Sequence, residues 1–407
     1  MNRKQLVTLI VALAIIGTAA LMLMKRHQQS FTDSEAAIGQ KLLNNFQMND
    51  VASIHIKGDT DLDLTKKDGR WEIAQRGGYP ANFSQISELL IKMGDLKVAQ
   101  SEPIGPSQLD RMHLAEPGKG PDSATLLEFK DASGKVLQSL LLGKKHTQKS
   151  SRPMPGQFGD DGYADGRFVM LKSDPNDVLT IPDALNSVDP KPATWLNKDF
   201  FKVEKPKSIS FVSTNASNSW TLSRETESSP WILANVKTHE VVDTNKLSSL
   251  ASTLSYPSFV DVAADQAPDK TGLDKPLSLT IETFDHFTYN IKIGKKTPEN
   301  DYNLTVAVSG SAPAERTPGK DEKPDDKKRL DKEFLDKTKA TAAKLDQEKA
   351  LSKWTYIVNS WLIDPLIRDR AQLMVDKKDN KKSASSSEPT PADTGATPVD
   401  FTEPPKP

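Results

Sequence analysis

Residues 61–73, with the sequence DLDLTKKDGRWEI, predict a β-hairpin. Asp68-Gly69 is a tight-turn pair between two segments of strand character. A second stretch, from Trp220 to Leu233, has a similar arrangement, so that Trp71 and Trp231 occupy equivalent places along the chain. These two stretches predict that one structural unit occurs twice.

The elements around this hairpin recur in the same order. Val51 to Ile56 and Lys207 to Val212 both alternate apolar residues, as half-buried strands do. Each hairpin is followed by a helical stripe that buries one face. In the helices, the stripe Ile86, Leu89 and Met93 matches Leu247, Leu250 and Leu254, and the caps Asn82 or Ser84 match Asp243 or Thr244. Among the strands, Leu96 to Val98 matches Phe259 to Val262, the pair Ala124 to Phe129 and Val136 to Leu142 matches Leu277 to Phe284 and Thr288 to Ile293, and Arg167 to Leu171 matches Asn303 to Val308. Two short motifs also recur, Gly143-Lys144-Lys145 as Gly294-Lys295-Lys296 and Trp195-Leu196 as Trp361-Leu362.

This order predicts an α+β fold, with two tandem, duplicated units of mainly antiparallel sheet and helices behind one N-terminal transmembrane helix. The alternative is a pair of unrelated α+β domains that share common turns. We place the first unit at 51–205 and the second at 206–375, with a charged insertion at 311–350.

The insertion is dense in both charges. Residues 315–350 contain 11 basic and 10 acidic residues among 36. Its Pro/Gly-rich part, 311–326, is expected to be disordered, and the remainder to form a solvated helix or a coiled coil. This helix either docks a partner or lies on its own unit. Its thin apolar stripe consists of Leu330, Phe334, Leu335, Leu345 and Leu351.

The apolar residues Leu6 to Met24 contain no charge in 19 positions. A helix of this length spans about 28 Å, close to the ~30 Å hydrocarbon core of a bilayer. We interpret 6–24 as an uncleaved anchor, with a cleaved signal peptide or a buried helix as alternatives. The tip 1–5 is then cytoplasmic, because long domains translocate largely regardless of their charge.

That orientation predicts a single-pass protein of the bacterial cytoplasmic (inner) membrane, with its body on the periplasmic side. Residues 25–50 form a juxtamembrane linker, with a helix expected over Ser34 to Phe46. The tail 376–407 lacks the apolar content for a core and is expected to be disordered.

Composition excludes several classes of function. The 407 residues contain no cysteine, which rules out thiol nucleophiles, disulfides, cysteine-ligated metals and a lipidated N-terminal cysteine. The 54 basic and 55 acidic residues nearly cancel, which argues against a nucleic-acid partner. The membrane is therefore the partner that the sequence itself indicates.

No motif assigns chemistry to the chain. Asp160, Asp161 and Asp165 resemble a calcium loop, but the EF-hand spacing fails, so a solvated loop is expected. His55 and His286 have no second histidine at ligand spacing and are interpreted as structural or surface residues. We assign no catalytic, cofactor-binding or metal-binding residue, and no cofactor.

Two other features have both a functional and a structural interpretation. The paired lysines, Lys144-Lys145 and Lys295-Lys296, could meet an anionic lipid headgroup or an acidic partner, although lysines at the solvent end of a strand need no function. The four tryptophans of the repeated pattern are interpreted as core anchors, because aromatic side chains bury large areas. They are Trp71, Trp195, Trp231 and Trp361.

Three segments resemble a known family: Leu64 to Ile73, Leu141 to Lys144 and Phe168 to Leu171. Together with the anchor, they resemble the bacterial domain of unknown function 4340 family, with the strongest likeness expected in the first half of the range Val51 to Met374. The charged insertion is not part of the family's pattern. The resemblance implies a membrane-tethered envelope protein, often encoded beside ABC-transporter subunits related to gliding-motility components, and it implies no catalytic residue.

The leading expectation is thus a non-enzymatic accessory subunit of an ABC-type transport or surface-assembly system. The alternatives are an envelope glycan- or lipid-binding module with a groove between its halves, and a hydrolase with dispersed carboxylates.

Overall fold

The computed structural model describes residues 38–120, 122–148, 163–175, 177–264, 267–312, 315–319 and 322–375. The predicted tip 1–5, the predicted anchor 6–24, the predicted disordered tail 376–407 and the pair Asp160-Asp161 lie outside these residues. Among the residues that the structure describes, no helix is both long and apolar enough to cross a bilayer.

The first sheet has nine strands in the order β4-β3-β2-β1-β6-β7-β8-β9-β5, and every neighbouring pair is antiparallel. The strands are β1 (Ser53–Lys57), β2 (Asp61–Lys67), β3 (Arg70–Ile73), β4 (Tyr79–Pro80), β5 (Gln100–Pro103), β6 (Thr125–Lys130), β7 (Val136–Gln148), β8 (Tyr163–Leu171) and β9 (Asp177–Ile181). The predicted hairpin is β2–β3, and Asp68 and Gly69 both have positive φ in its turn.

The second sheet has eight strands in the order β12-β11-β10-β14-β15-β16-β17-β13, again antiparallel throughout. The strands are β10 (Pro206–Val212), β11 (Trp220–Ser223), β12 (Ile232–Leu233), β13 (Asp261–Ala263), β14 (Leu277–Thr283), β15 (Phe287–Lys296), β16 (Tyr302–Gly310) and β17 (Thr355–Val358).

When β4 is set aside, the two strand orders match strand for strand. The predicted α+β class with antiparallel sheets is confirmed, and a shared order is what duplication would produce. The last strand in each order, β5 or β13, follows a helix in the chain and returns to the far edge of its sheet. Below, the parts of the chain that carry the first and second sheets are called the first and second units.

A helix packs on each sheet at the place where the apolar stripes predicted one. The helices are α1 (Phe83–Asp95) and α2 (Thr244–Ser252). The side chains of Asn82 and Asp243 accept hydrogen bonds from backbone N–H groups of the first turn, which satisfies donors that a helix start leaves unpaired. The buried stripe residues are Ile86, Leu89, Met93, Leu247, Leu250 and Leu254.

The remaining helices belong to the connections. They are α3 (Pro268–Thr271), α4 (Pro324–Lys349) and α5 (Ser360–Ile363). Helix α4 occupies most of the predicted charged insertion and begins at a proline, which suits a first helical turn. Residues 324–326, which were expected to be disordered, belong to that turn.

Three other expectations about local structure are wrong. The strands after α1 and α2 begin later than predicted, at Gln100 and Asp261. Within residues 38–46 there is no helix. Instead, the backbone of this segment bonds to residues 96–98, and Leu42 and Leu43 are buried in the core. Burial of both leucines removes apolar surface from water, which stabilises this non-helical path of the chain.

The edges of both sheets are short. Strands β4 and β12 have two residues each, β13 has three, and β5 has four. Proline ends both edge strands of the first sheet, at Pro80 and Pro103. Proline donates no backbone hydrogen bond, so it is found mainly at such edges.

Candidate functional site

The two units meet at a joint that strand β4 and the turn before it create. Arg76, in that turn, donates from Nε and from an Nη atom to the two carboxylate oxygens of Asp261, and both distances are 2.7 Å. Asp261 begins the edge strand β13 of the second sheet. Both side chains are largely buried. A bidentate arginine–carboxylate pair fixes orientation as well as distance.

An aromatic cluster lies beside this ion pair. The Tyr79 ring of β4 lies 4.9 Å from the Trp354 ring and 5.9 Å from the Phe259 ring, both in edge-on contact. Burial raises the pKa of the Tyr79 hydroxyl to about 12. The Lys198 ammonium lies 4.6 Å from the centre of the Phe259 ring and donates to the carbonyl of Val260 at 2.8 Å. Strand β4, which has no counterpart in the second sheet, and the turn before it therefore supply part of the contacts between the units, together with Lys198.

Helix α4 is held on the second unit by a buried glutamate. One carboxylate oxygen of Glu348 accepts from the backbone N–H of Lys202, and the other from the Tyr289 hydroxyl, each at 2.9 Å. Glu348 is only 4% exposed, and this burial raises its pKa. One turn earlier, Lys344 donates to Glu204 at 2.8 Å.

The apolar stripe of α4 is only partly buried. Leu345 and Leu351 are buried, Leu330 and Phe334 are half-buried, and Leu335 is 52% exposed. The helix therefore lies on its own unit, which is one of the two interpretations given by the sequence.

A cleft of about 580 Å³ opens between α4 and the second unit. Tyr256 is 78% exposed at its rim, with the Lys202 ammonium 4.7 Å from the centre of its ring. The charged groups of the cleft pair with one another, for example Lys202 with Glu204 at 2.9 Å and Lys205 with Asp285 at 3.5 Å. The cleft thus combines an aromatic platform with charges that are largely neutralised.

Both Gly-Lys-Lys segments lie at β-bulges. The register of β7 against β8 shifts between Leu142 and Lys145, and that of β15 against β16 shifts between Ile293 and Lys296. The glycines have a packing role. A Cβ atom on Gly143 would lie closer than 3.0 Å to the carbonyl oxygen of Met112, and one on Gly294 would meet that of Thr271 in the same way. In each unit a connecting turn crosses the bulge so closely that only glycine fits.

The lysines that follow these glycines differ between the units. In the second unit, Lys295 donates to the carbonyl of Asp269 at 3.1 Å, and Lys296 lies 3.4 Å from Asp364. In the first unit, the side chains of Lys144 and Lys145 have no hydrogen-bond or ion-pair partner among the described residues. They line a recess of about 360 Å³.

The histidines named by the sequence have structural partners or turn positions. His55 Nδ1 lies 2.7 Å from an Asp63 oxygen on the neighbouring strand. His286 has positive φ in the turn between β14 and β15. Asp165, the described member of the three aspartates that we expected in a solvated loop, lies instead in strand β8, 2.6 Å from His146 Nδ1. Within the described ranges, no group of three candidate metal ligands occurs.

The four tryptophans of the repeated pattern differ in how far they are buried. Trp71 and Trp195 are buried, and the Trp195 indole donates to the carbonyl of Asp189 at 2.7 Å. Trp231 is half-buried under the Arg224 guanidinium. Trp361 is 62% exposed, so its prediction as a core anchor is wrong. Its neighbour Leu362 takes the buried position on the one-turn helix α5.

Some residues that organise these sites carried no recognisable sequence signal. Glu348 lies among many similar charges of the insertion, and Arg76 and Asp261 are separated by 185 positions. Leu345 and Glu348 are three residues apart and therefore lie on the same face of the helix, and this spacing is the one signal that could have indicated an inward-facing carboxylate.

Comparison with known proteins gives one match. No curated protein and no solved structure matches the chain. The model of a family described as "Domain of unknown function (DUF4340)" matches residues 157–276. This range contains the quoted segment Phe168 to Leu171 but neither Leu64 to Ile73 nor Leu141 to Lys144, and it spans the end of the first half and the beginning of the second half of the range Val51 to Met374. The chain thus resembles the DUF4340 family over a segment that joins the last strands of the first sheet to the beginning of the second unit.

Proposed function

We propose that this protein is a membrane-anchored envelope protein that acts by binding rather than by catalysis, as an accessory subunit of an ABC-type transport or surface-assembly system. The apolar segment 6–24 would anchor it in the inner membrane, with its body on the periplasmic side. The resemblance to the DUF4340 family supports this assignment, because it implies a membrane-tethered envelope protein that is often encoded beside ABC-transporter subunits.

The observation that carries the proposal is the joint between the units. The Arg76–Asp261 pair and the aromatic rings around Tyr79 hold two wide sheets in one orientation. A subunit that positions partners needs such stiffness, because interfaces within a chain otherwise permit relative motion of the units.

The outward face of α4 is the surface that we assign to a partner subunit. Lys328, Lys332, Leu335 and Lys339 recur at helical spacing, and all are exposed. The partner would present an acidic surface with an apolar centre, because charged rims around a buried apolar residue are typical of protein interfaces.

Affinity purification of the full chain from its own cells in a mild detergent tests this function. We expect a transporter or assembly subunit at a constant molar ratio to the wild-type chain, and at least fivefold less of it with a Lys332→Glu/Leu335→Glu variant. Lys66→Glu, an exposed change in the first sheet, is the matched control and should retain the partner. Recovery of the wild-type chain alone would contradict the proposal.

The cleft under α4 favours a second candidate, an envelope glycan- or lipid-binding module. Its exposed Tyr256 offers a flat ring beside several polar side chains, which suits a sugar. Direct binding of the full chain to cell-wall and lipid fractions, compared with Tyr256→Ala, distinguishes this candidate from the first.

The hydrolase alternative requires clustered carboxylates at a concave site. Glu348 is the one buried carboxylate of the described residues, and both of its oxygens hold α4 in place. This geometry gives the alternative no specific support.

A further inference from the structure

The contrast between the two Gly-Lys-Lys segments points to a binding site in the first unit. Both segments have the same bulge and the same glycine contact, yet only the second unit uses its lysines internally. Lys296 of that unit also donates to Asn300 at 3.0 Å and lies 5.0 Å from the Tyr302 ring centre. Because the two units share this backbone geometry, the lack of described partners for Lys144 and Lys145 distinguishes the first unit from the second.

The recess beside Lys144 and Lys145 has a third cation at its rim. Arg111 contributes its guanidinium from the connecting turn that crosses the bulge, and its side chain has no partner among the described residues. Met112 and Phe168 form an apolar wall. A bulge can re-aim neighbouring side chains, which explains why consecutive residues of β7 line one recess.

The acidic groups near this recess leave its positive charge in place. Asp165 is the one described carboxylate that bonds to a residue lining the recess, and its partner is His146 at 2.6 Å. Asp110 precedes Arg111 in the chain and does not line the recess.

A buried cation behind the bulge adds to the positive charge. Arg167 is buried, donates from Nε to the carbonyl of Gly143 at 2.8 Å, and forms no ion pair with any described carboxylate. Its charge is therefore compensated only by carbonyl dipoles. Charges separated by less than about 10 Å interact at physiological salt, and more strongly through protein than through water.

We propose that this recess, formed by Arg111, Lys144 and Lys145, binds a phosphate group. Arginine matches the oxygens of phosphate with its planar fork, and lysine contributes compact point charges. The same chemistry occurs in free phosphate and in the phosphodiester headgroup of an anionic lipid. The recess holds either source, because its volume of about 360 Å³ exceeds that of one phosphate and its apolar wall accepts a glycerol carbon.

Titration of the full chain in neutral detergent micelles tests the proposal. The probes are inorganic phosphate, glycerophosphoglycerol as an anionic headgroup without acyl chains, and zwitterionic glycerophosphocholine as the comparison. We expect at least one anionic probe to bind at least tenfold more tightly than glycerophosphocholine. Tighter glycerophosphoglycerol binding assigns a lipid headgroup, and tighter phosphate binding assigns free phosphate.

Matched variants locate the site. Lys144→Gln/Lys145→Gln should weaken binding at least tenfold, whereas Lys295→Gln/Lys296→Gln should leave it within twofold, with folding of both checked by circular dichroism. In the wild-type chain, the bound probe should also protect Lys144 and Lys145, but not Lys295 and Lys296, from an acylating reagent. Absence of anion binding, equal weakening by the two variants, or equal protection of the four lysines would overturn the proposal.

Discussion

Arg76 and Asp261, which are 185 positions apart in the chain, share two hydrogen bonds of 2.7 Å across the joint between the units. The pair joins the turn before β4, the first strand in the order of the first sheet, to β13, the last strand in the order of the second sheet. The contact is therefore between unlike edges of two similar sheets.

Asp261→Asn should weaken this joint. We expect a loss of about 1.5–3 kcal/mol in the free energy of unfolding, the range for hydrogen bonds to charged groups. Urea unfolding followed by tryptophan fluorescence should also resolve two transitions where the wild-type chain has one, because the units lose their fixed contact. Asp95→Asn removes an exposed partner of Lys41 and should change stability by less than about 0.5 kcal/mol. Equal effects of the two substitutions would exclude a special role for the joint.

The bulge glycines should not tolerate a side chain. Gly143→Ala and Gly294→Ala each place a Cβ atom against a backbone carbonyl, which has to move with its turn. We expect each to lower the free energy of unfolding by about 1–3 kcal/mol, as overpacking does. Gly105→Ala, where a Cβ meets open space, is the control and should be neutral or slightly stabilising. Thermal melting of the three variants checks this order.

Glu348→Gln should change how stability depends on pH. Burial raises the pKa of Glu348 in the folded chain above its value of 4.5 in the unfolded chain. The folded state therefore keeps the proton to higher pH, and the stabilisation is present below pH 4.5 and lost as pH rises through the raised pKa. The glutamine cannot ionise, so its melting temperature should rise relative to the wild type between pH 4 and pH 8.

The geometry around Glu348 explains this choice of variant. The Tyr289 hydroxyl lies within reach of two acceptors, Glu348 at 2.9 Å and the carbonyl of Lys202 at 3.0 Å, and has one proton to donate. A protonated Glu348, or a glutamine, donates to the hydroxyl and frees that proton for the carbonyl. Glu102→Gln, at an exposed position, should show no such trend. If the difference in melting temperature between Glu348→Gln and the wild type did not change with pH, burial of Glu348 would not control its ionisation.

The two Trp-Leu segments should respond differently to truncation. Trp195→Ala removes a fully buried ring and its hydrogen bond, and we expect a loss of about 3–5 kcal/mol. Trp361→Ala removes an exposed ring and should stay within about 0.5 kcal/mol. Chemical denaturation of both variants makes the comparison. A large loss for Trp361→Ala would contradict the exposed position of this ring.

Local patterns in the sequence predicted the parts of the fold that depend on neighbouring residues. The Asp68-Gly69 turn, the caps Asn82 and Asp243, and the stripe from Ile86 to Met93 are short-range features, and the structure confirms them. The paired Gly-Lys-Lys segments marked a real structural similarity, although the reason for glycine is a contact with a distant turn.

The contacts between distant elements could not be predicted in this way. Nothing in the residues near Tyr79 shows that a two-residue strand will meet the second sheet, and nothing near Trp361 shows that Leu362 will take the buried place. In a one-turn helix, a shift of one residue decides which side chain faces the core. The lysines at 144–145 and 295–296 are alike in sequence, and only the surrounding turns distinguish their environments.

The short outermost strands affect how readily copies of the protein aggregate at high local concentration. Wide antiparallel sheets usually risk adding a strand from another molecule, because a long bare edge offers a row of unpaired backbone donors and acceptors. Here the edges end in strands of two to four residues, and prolines close both sides of the first sheet. Crowded copies of this chain would therefore meet without a continuous backbone template on which to polymerise.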